Sequence, residues 1–169
     1  MGDLRMGEND FATLARLEEA FEKKDLSQFI SFLKGSVGLP LLLRVHAVCM
    51  LEHIGDESVV KLLCRVLKED PSPLTRHEAA FTLGQLVFRS AVPALVEAML
   101  NDLSPIVRHE SAVALSSIGD DEILPKLEEA IGDKHEDVSD SAMIAFEYLS
   151  YIKRRRRDSP EVARARIRL

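Results

Sequence analysis

Tryptophan is absent from this chain, tyrosine occurs twice, and aromatic residues make up 5% of the sequence. A sheet-based core leans on aromatic and β-branched side chains, so this poverty points away from β architecture. Only Cys49 and Cys64 are present, both within apolar helical patterns and without CxxC spacing. A disulfide framework and a cysteine-rich zinc site are thereby excluded, and buried thiols in a reducing cytoplasm are expected. No apolar run is long enough to cross a membrane. Met1-Gly2-Asp3-Leu4-Arg5 lacks the basic-to-apolar transition of a secretory leader, and Met6 stands where a myristoylation signal wants Ser or Thr. Phosphate-cradling glycine loops and Gly-x-Ser-x-Gly elbows are also missing. The net charge of -6 disfavours nucleic acid as the main partner.

What is present is repetition. At 169 residues the chain can bury one core. It aligns with itself at a shift of about 32 residues, within the range of helical solenoids. Arg44, Arg76 and Arg108 fall in register, with Asp140 in the fourth place; Leu51, Leu83 and Leu115 follow, then Leu63, Leu95 and Leu127. These positions are spaced by threes and fours, the mark of amphipathic helices. Each unit reads as helix, turn, helix. Gly55-Asp56, Gly119-Asp120 and Gly132-Asp133 supply turns, while Ser72-Pro73 and Ser104-Pro105 supply helix starts with Ser at the N-cap and Pro at the first helical position.

The expected fold is therefore all-α: an α-α superhelix of about four helix pairs. Residues 10–152 form the repeat domain, preceded by a flexible N-terminus (1–9) and followed by a basic tail (153–169). Within the domain, 10–34 hold an early helix pair, 39–70, 71–102 and 103–134 three registered units, and 135–152 a terminal helix. The tail contains Arg154-Arg155-Arg156-Arg157. Without interleaved aromatics it reads as a solvated extension rather than a nucleic-acid contact.

The chemistry-bearing signal is a dipeptide. His77-Glu78 and His109-Glu110 occupy equivalent places in consecutive units. A helical wheel puts Ala79, Ala80, Leu83, Leu86 and Val87 on the core side, and Ala112, Leu115 and Ile118 likewise in the next unit. It turns both His-Glu pairs to the opposite side. Imidazole nitrogen with carboxylate oxygen suits iron, manganese or zinc. Packed helices lie 8–10 Å apart, so each pair could hold one ion. The competing reading is a pair of solvated polar positions echoed by repeat duplication; His135-Glu136, out of register, is an accidental third occurrence. His46 and His53 read as ordinary partly buried or surface histidines. The arginines, with Asp70 and Asp102 six residues before Arg76 and Arg108, read as a structural Arg–Asp ladder.

Arg76-His77-Glu78-Ala79-Ala80-Phe81-Thr82-Leu83-Gly84-Gln85-Leu86 and Val107-Arg108-His109-Glu110-Ser111-Ala112-Val113-Ala114-Leu115 resemble the HEAT-like repeats of the deoxyhypusine hydroxylase family. Leu43-Arg44-Val45-His46-Ala47 resembles the repeat that precedes them. The likeness spans most of residues 36–152, and its general pattern is shared with phycobilin lyase subunits. The resemblance implies a di-iron centre that activates dioxygen to hydroxylate a substrate, with His77, Glu78, His109 and Glu110 as ligands. The family enzyme has two such halves in one chain, whereas Val45-His46 and Ser141-Ala142 offer no further pair here. A full site then implies a homodimer, in which a two-fold axis would bring a second set of pairs opposite the first. The rival functions are a protein-interaction scaffold, as solenoids often are, and a lyase-like accessory subunit.

Overall fold

The computed structural model describes residues 7–34 and 39–158. Among them are nine α-helices and three short 3-10 turns, the latter opening α4, α6 and α8, and there is no strand. Helices α1 (Glu8–Glu22) and α2 (Leu26–Lys34) form the first pair. Then come α3 (Leu41–Ile54) with α4 (Val60–Glu69), α5 (Pro73–Leu86) with α6 (Val92–Asn101), and α7 (Pro105–Ile118) with α8 (Leu124–Ala130). Helix α9 (Glu136–Asp158) ends the stack. One layer is built from α3, α5, α7 and α9 packed side by side; α4, α6 and α8 make the other. The expected superhelix of about four pairs is what the chain forms. Residues 1–6 and 159–169, parts of the expected N-terminal segment and basic tail, lie outside the described residues.

The register residues make the core. Leu51, Leu83 and Leu115 are fully buried, as are Leu63, Leu95 and Leu127. Truncating any one to Ala would cost about 2–5 kcal/mol, lost transfer energy plus the cavity left behind. The layer closes most tightly between α5 and α7. A Cβ on Gly84 would lie 2.8 Å from both Cα and Cβ of Ala114. Glycine at that position therefore sets how near the two helices approach, and those helices carry the His-Glu dipeptides.

The helix ends follow local chemistry, with two departures. Gly55 and Gly119 end α3 and α7 in the left-handed region, at φ 70° and 75°. The equivalent residue after α5 is Val87, at φ 52°. A β-branched side chain is strained there, and the turn leaves Val87 half exposed rather than on the core side where the wheel put it. Ser72 and Ser104 occupy the N-cap positions before Pro73 and Pro105, but their side chains make no cap bond. Instead their backbone N–H groups donate to Asp70 and Asp102 Oδ1, each at 2.8 Å.

The same aspartates face the arginines. Arg44 Nε donates to Asp70 Oδ2 at 3.0 Å, Arg76 Nε to Asp102 Oδ2 at 2.7 Å, and Arg108 Nε to Asp133 Oδ2 at 2.6 Å. A second nitrogen of Arg76 and of Arg108 donates back to the carbonyls of Asp70 and Asp102. The ladder exists, but its ion pairs fall within a unit, each arginine reaching the aspartate that follows it; across the repeat boundary Arg76 and Arg108 reach only the backbone carbonyl of the preceding Asp70 and Asp102. Arg108 holds the Asp133 carboxyl below its ordinary range, chiefly by hydrogen bonding, and Asp102 raises Arg76 in the same way.

At the C-terminal end, α9 continues beyond residue 152, where the sequence reading begins the tail. Arg155, Arg156 and Arg157 lie in its last turn, and Arg156 Nη1 meets Asp121 Oδ2 at 3.2 Å.

Candidate metal centre

Helices α5 and α7 present the two dipeptides at equivalent depths, four and five residues past Pro73 and Pro105. Within a dipeptide the side chains diverge, because adjacent residues on a helix do not face one another. Across the repeat boundary they meet. His77 Nε2 lies 3.2 Å from Glu110 Oε2. Glu110 is a buried residue, 8% exposed. The wheel sends this carboxylate to solvent, and the stack accounts for the difference: a helix inside a solenoid layer has covered flanks as well as a core side.

The outer members of the two dipeptides find other partners. Glu78 Oε1 accepts a hydrogen bond from Cys49 Sγ on α3 at 3.2 Å. Burial foremost, with the neighbouring carboxylate adding to it, pushes the Cys49 thiol up to about 12. Cys49 is thus a neutral donor at physiological pH. Burial also raises Cys64, and both cysteines are free. On the other side, His109 Nδ1 lies 2.7 Å from Ser141 Oγ and 3.2 Å from the Asp137 carbonyl, both on α9. The four residues singled out by sequence therefore form a row across α5 and α7, flanked by Cys49 and Ser141. Pattern reading could not have found Cys49, because it pairs with a residue 29 positions away. His46 and His135 are exposed and outside the row. His53 turns to its own helix, 3.2 Å from the Cys49 carbonyl and edge-on to Phe21.

The row fits a divalent cation in part. Two cis ligands with metal bonds of about 2.0–2.2 Å are separated by about 3 Å, close to the observed His77–Glu110 spacing. The other ring nitrogen, His77 Nδ1, is buried without a hydrogen-bond partner. The donors are imidazole and carboxylate, a set suited to iron, manganese or zinc. However, among the described residues no three His, Cys, Asp or Glu side chains converge on one point.

Apolar rows border the site. Leu74 and Ile106, three residues before each histidine, are 44% and 46% exposed; Phe81 and Val113, four residues after, are 37% and 39% exposed. Residues at these offsets share a helix face with the histidines.

A family model described as HEAT repeats matches residues 60–147, over half of the sequence. The chain belongs to the HEAT-repeat family. Its repeats are similar to those of deoxyhypusine hydroxylases. The enzyme of Dictyostelium discoideum is 49% identical over 53 residues, 31% of this HEAT-repeat chain and 17% of that protein. The enzyme of Schizosaccharomyces pombe is 37% identical over 68 residues, 38% of this chain and 21% of that protein. The solved structure of human deoxyhypusine hydroxylase, in complex with glycerol, superposes with a TM-score of 0.70 at 27% identity, covering 82% of this chain and 48% of that one. This HEAT-repeat chain thus spans about half the length of the enzyme structure it matches. No helix among the described residues is long and apolar enough to cross a membrane.

Proposed function

We propose that this chain is an oxygen-activating oxidoreductase of the deoxyhypusine hydroxylase kind, a hydroxylase or monooxygenase. Its iron site is assembled across a homodimer by His77, Glu78, His109 and Glu110 of each copy. The observation that carries the reading is the meeting of His77 with Glu110 across the repeat boundary at ligand-like spacing. Two ligands from one chain make half a closed site, and a two-fold axis would supply the other half from the same surface. Bound iron would supply the redox chemistry that dioxygen requires. Manganese or zinc would suit the same donors, and metal analysis distinguishes them.

The chain's own residues have definite tasks in this scheme. The carboxylates of Glu78 and Glu110 offset cationic charge in a partly dry setting. The thiol of Cys49 holds Glu78 at the edge of the row by a hydrogen bond. Leu74, Phe81, Ile106 and Val113 would be covered on association, excluding water and contributing about 25 cal/mol for each Å² of apolar surface removed from it. A chain of this family acting at a cytoplasmic protein or small-molecule substrate fits the reading, with neither membrane nor nucleic acid as partner.

Elemental analysis together with sedimentation tests it. Iron in stoichiometric amount with the chain, a dimer, and loss of the metal in His77→Ala and His109→Ala would support the enzyme. Protein that stays metal-free and monomeric when iron is supplied would overturn it. That outcome would favour a non-catalytic scaffold, whose binding surface would be the same apolar-bordered face.

A further inference from the structure

The two histidines of the row are held differently. His77 directs Nε2 at Glu110. His109 directs Nδ1 at α9, where it meets Ser141 Oγ and the Asp137 carbonyl. Ser141 stands one repeat after His109, at the place a third histidine would take. Its residue is 9% exposed, and its Oγ also lies 2.7 Å from the Asp137 carbonyl.

Proton counting decides the arrangement. A carbonyl oxygen only accepts. The single Ser141 hydroxyl proton goes to the Asp137 carbonyl, which leaves the Ser141 oxygen as an acceptor towards His109. Both neighbours of His109 Nδ1 then accept, so Nδ1 carries the proton. In the neutral ring Nε2 must bear the lone pair. We propose that Ser141, with the Asp137 carbonyl, is a positioning residue that fixes His109 as the Nδ1–H tautomer and so presents Nε2 as a ligand to a divalent cation. Outer partners that fix a ligating histidine's tautomer are a general requirement of metal sites. The cation in this statement rests on the row being a metal site; the tautomer does not.

The test uses the full chain, labelled with ¹⁵N at histidine and metal-free, at about pH 8, above the ordinary histidine pKa of about 6.5. Long-range ¹H–¹⁵N correlation should show His109 protonated at Nδ1 alone. In Ser141→Ala the Nε2–H form should appear, and Fe(II) titrated anaerobically should bind about 10–100-fold more weakly. Ser141→Thr, which keeps the hydroxyl, should restore both. Alanine is a good helix former inside α9, and a thermal melt verifies that the variant folds. A His109 protonated at Nε2 in the unaltered chain, or a Ser141→Ala spectrum and Fe(II) affinity unchanged from it, would overturn the proposal. If the unaltered chain binds no Fe(II), the metal reading fails while the spectra still decide the tautomer.

Discussion

The Arg–Asp ladder and the His–Glu row cross the same helices and obey opposite rules. In the ladder each rung repeats from unit to unit, and each aspartate serves both an arginine and a backbone N–H. In the row the members occur in only two units, change partner at each boundary, and leave ring nitrogen capacity unused. The ladder is saturated within the chain, as a device for stacking repeats should be. The row pairs each of its four members yet leaves His77 Nδ1 without a partner, the unspent polar capacity that the proposed metal site would draw on.

Breaking each in turn separates stability from binding. Arg108→Ala leaves the part-buried Asp133 carboxylate and the Asp102 carbonyl without their donors, and should cost about 1.5–3 kcal/mol in urea unfolding, the usual range for hydrogen bonds to a charged group. His109→Ala should cost about 1 kcal/mol or less in metal-free protein while abolishing iron binding. Comparable losses from the two would erase the distinction.

Acid should attack the ladder first. The Asp133 carboxyl is lower in the folded chain than in the unfolded one. Its contribution is therefore complete above the unfolded value of about 3.9 and is lost as pH falls through the folded value. A urea series between about pH 5 and pH 2 should show that loss, and Arg108→Met should flatten it. Little flattening would place the acid limb elsewhere.

A smaller effect is expected beside the row. With its thiol held up near 12, Cys49 should resist iodoacetamide at pH values where the unfolded chain is alkylated readily. Rapid labelling of folded protein, mapped to Cys49 by mass spectrometry, would contradict its place against Glu78. The smallest concerns the turn that links the two regions. Val87→Gly removes a strained left-handed valine and should stabilise the chain by about 0.5–1 kcal/mol, read as a shift in denaturation midpoint.

Much of this was legible in residue order. Leu51, Leu83 and Leu115 repeat at a fixed interval because every unit must fill the same gap, so the core could be named before it was seen. The Arg–Asp relation was visible through Asp70 and Asp102, although Asp133, one residue out of step with them, was not. Likewise the break after α5 was hidden, since Val87 lacks the glycine that marks Gly55 and Gly119. The His-Glu dipeptides stood out as chemistry, but their pairing did not. Sequence adjacency joins His77 to Glu78, whereas a helix directs neighbours about 100° apart.

By itself, then, the sequence determined the helical class, the repeat length and the core residues, and it singled out four side chains that carry imidazole or carboxylate chemistry. Those follow from periodicity and side-chain chemistry, which are local. Only the tertiary structure decided that His77 meets Glu110, that Glu78 accepts from Cys49, and that His109 meets Ser141. Those relations depend on the rise and rotation from one repeat to the next, set in part by the bare Cα of Gly84 against Ala114. Such a quantity emerges from packing two helices together and is carried by neither helix alone.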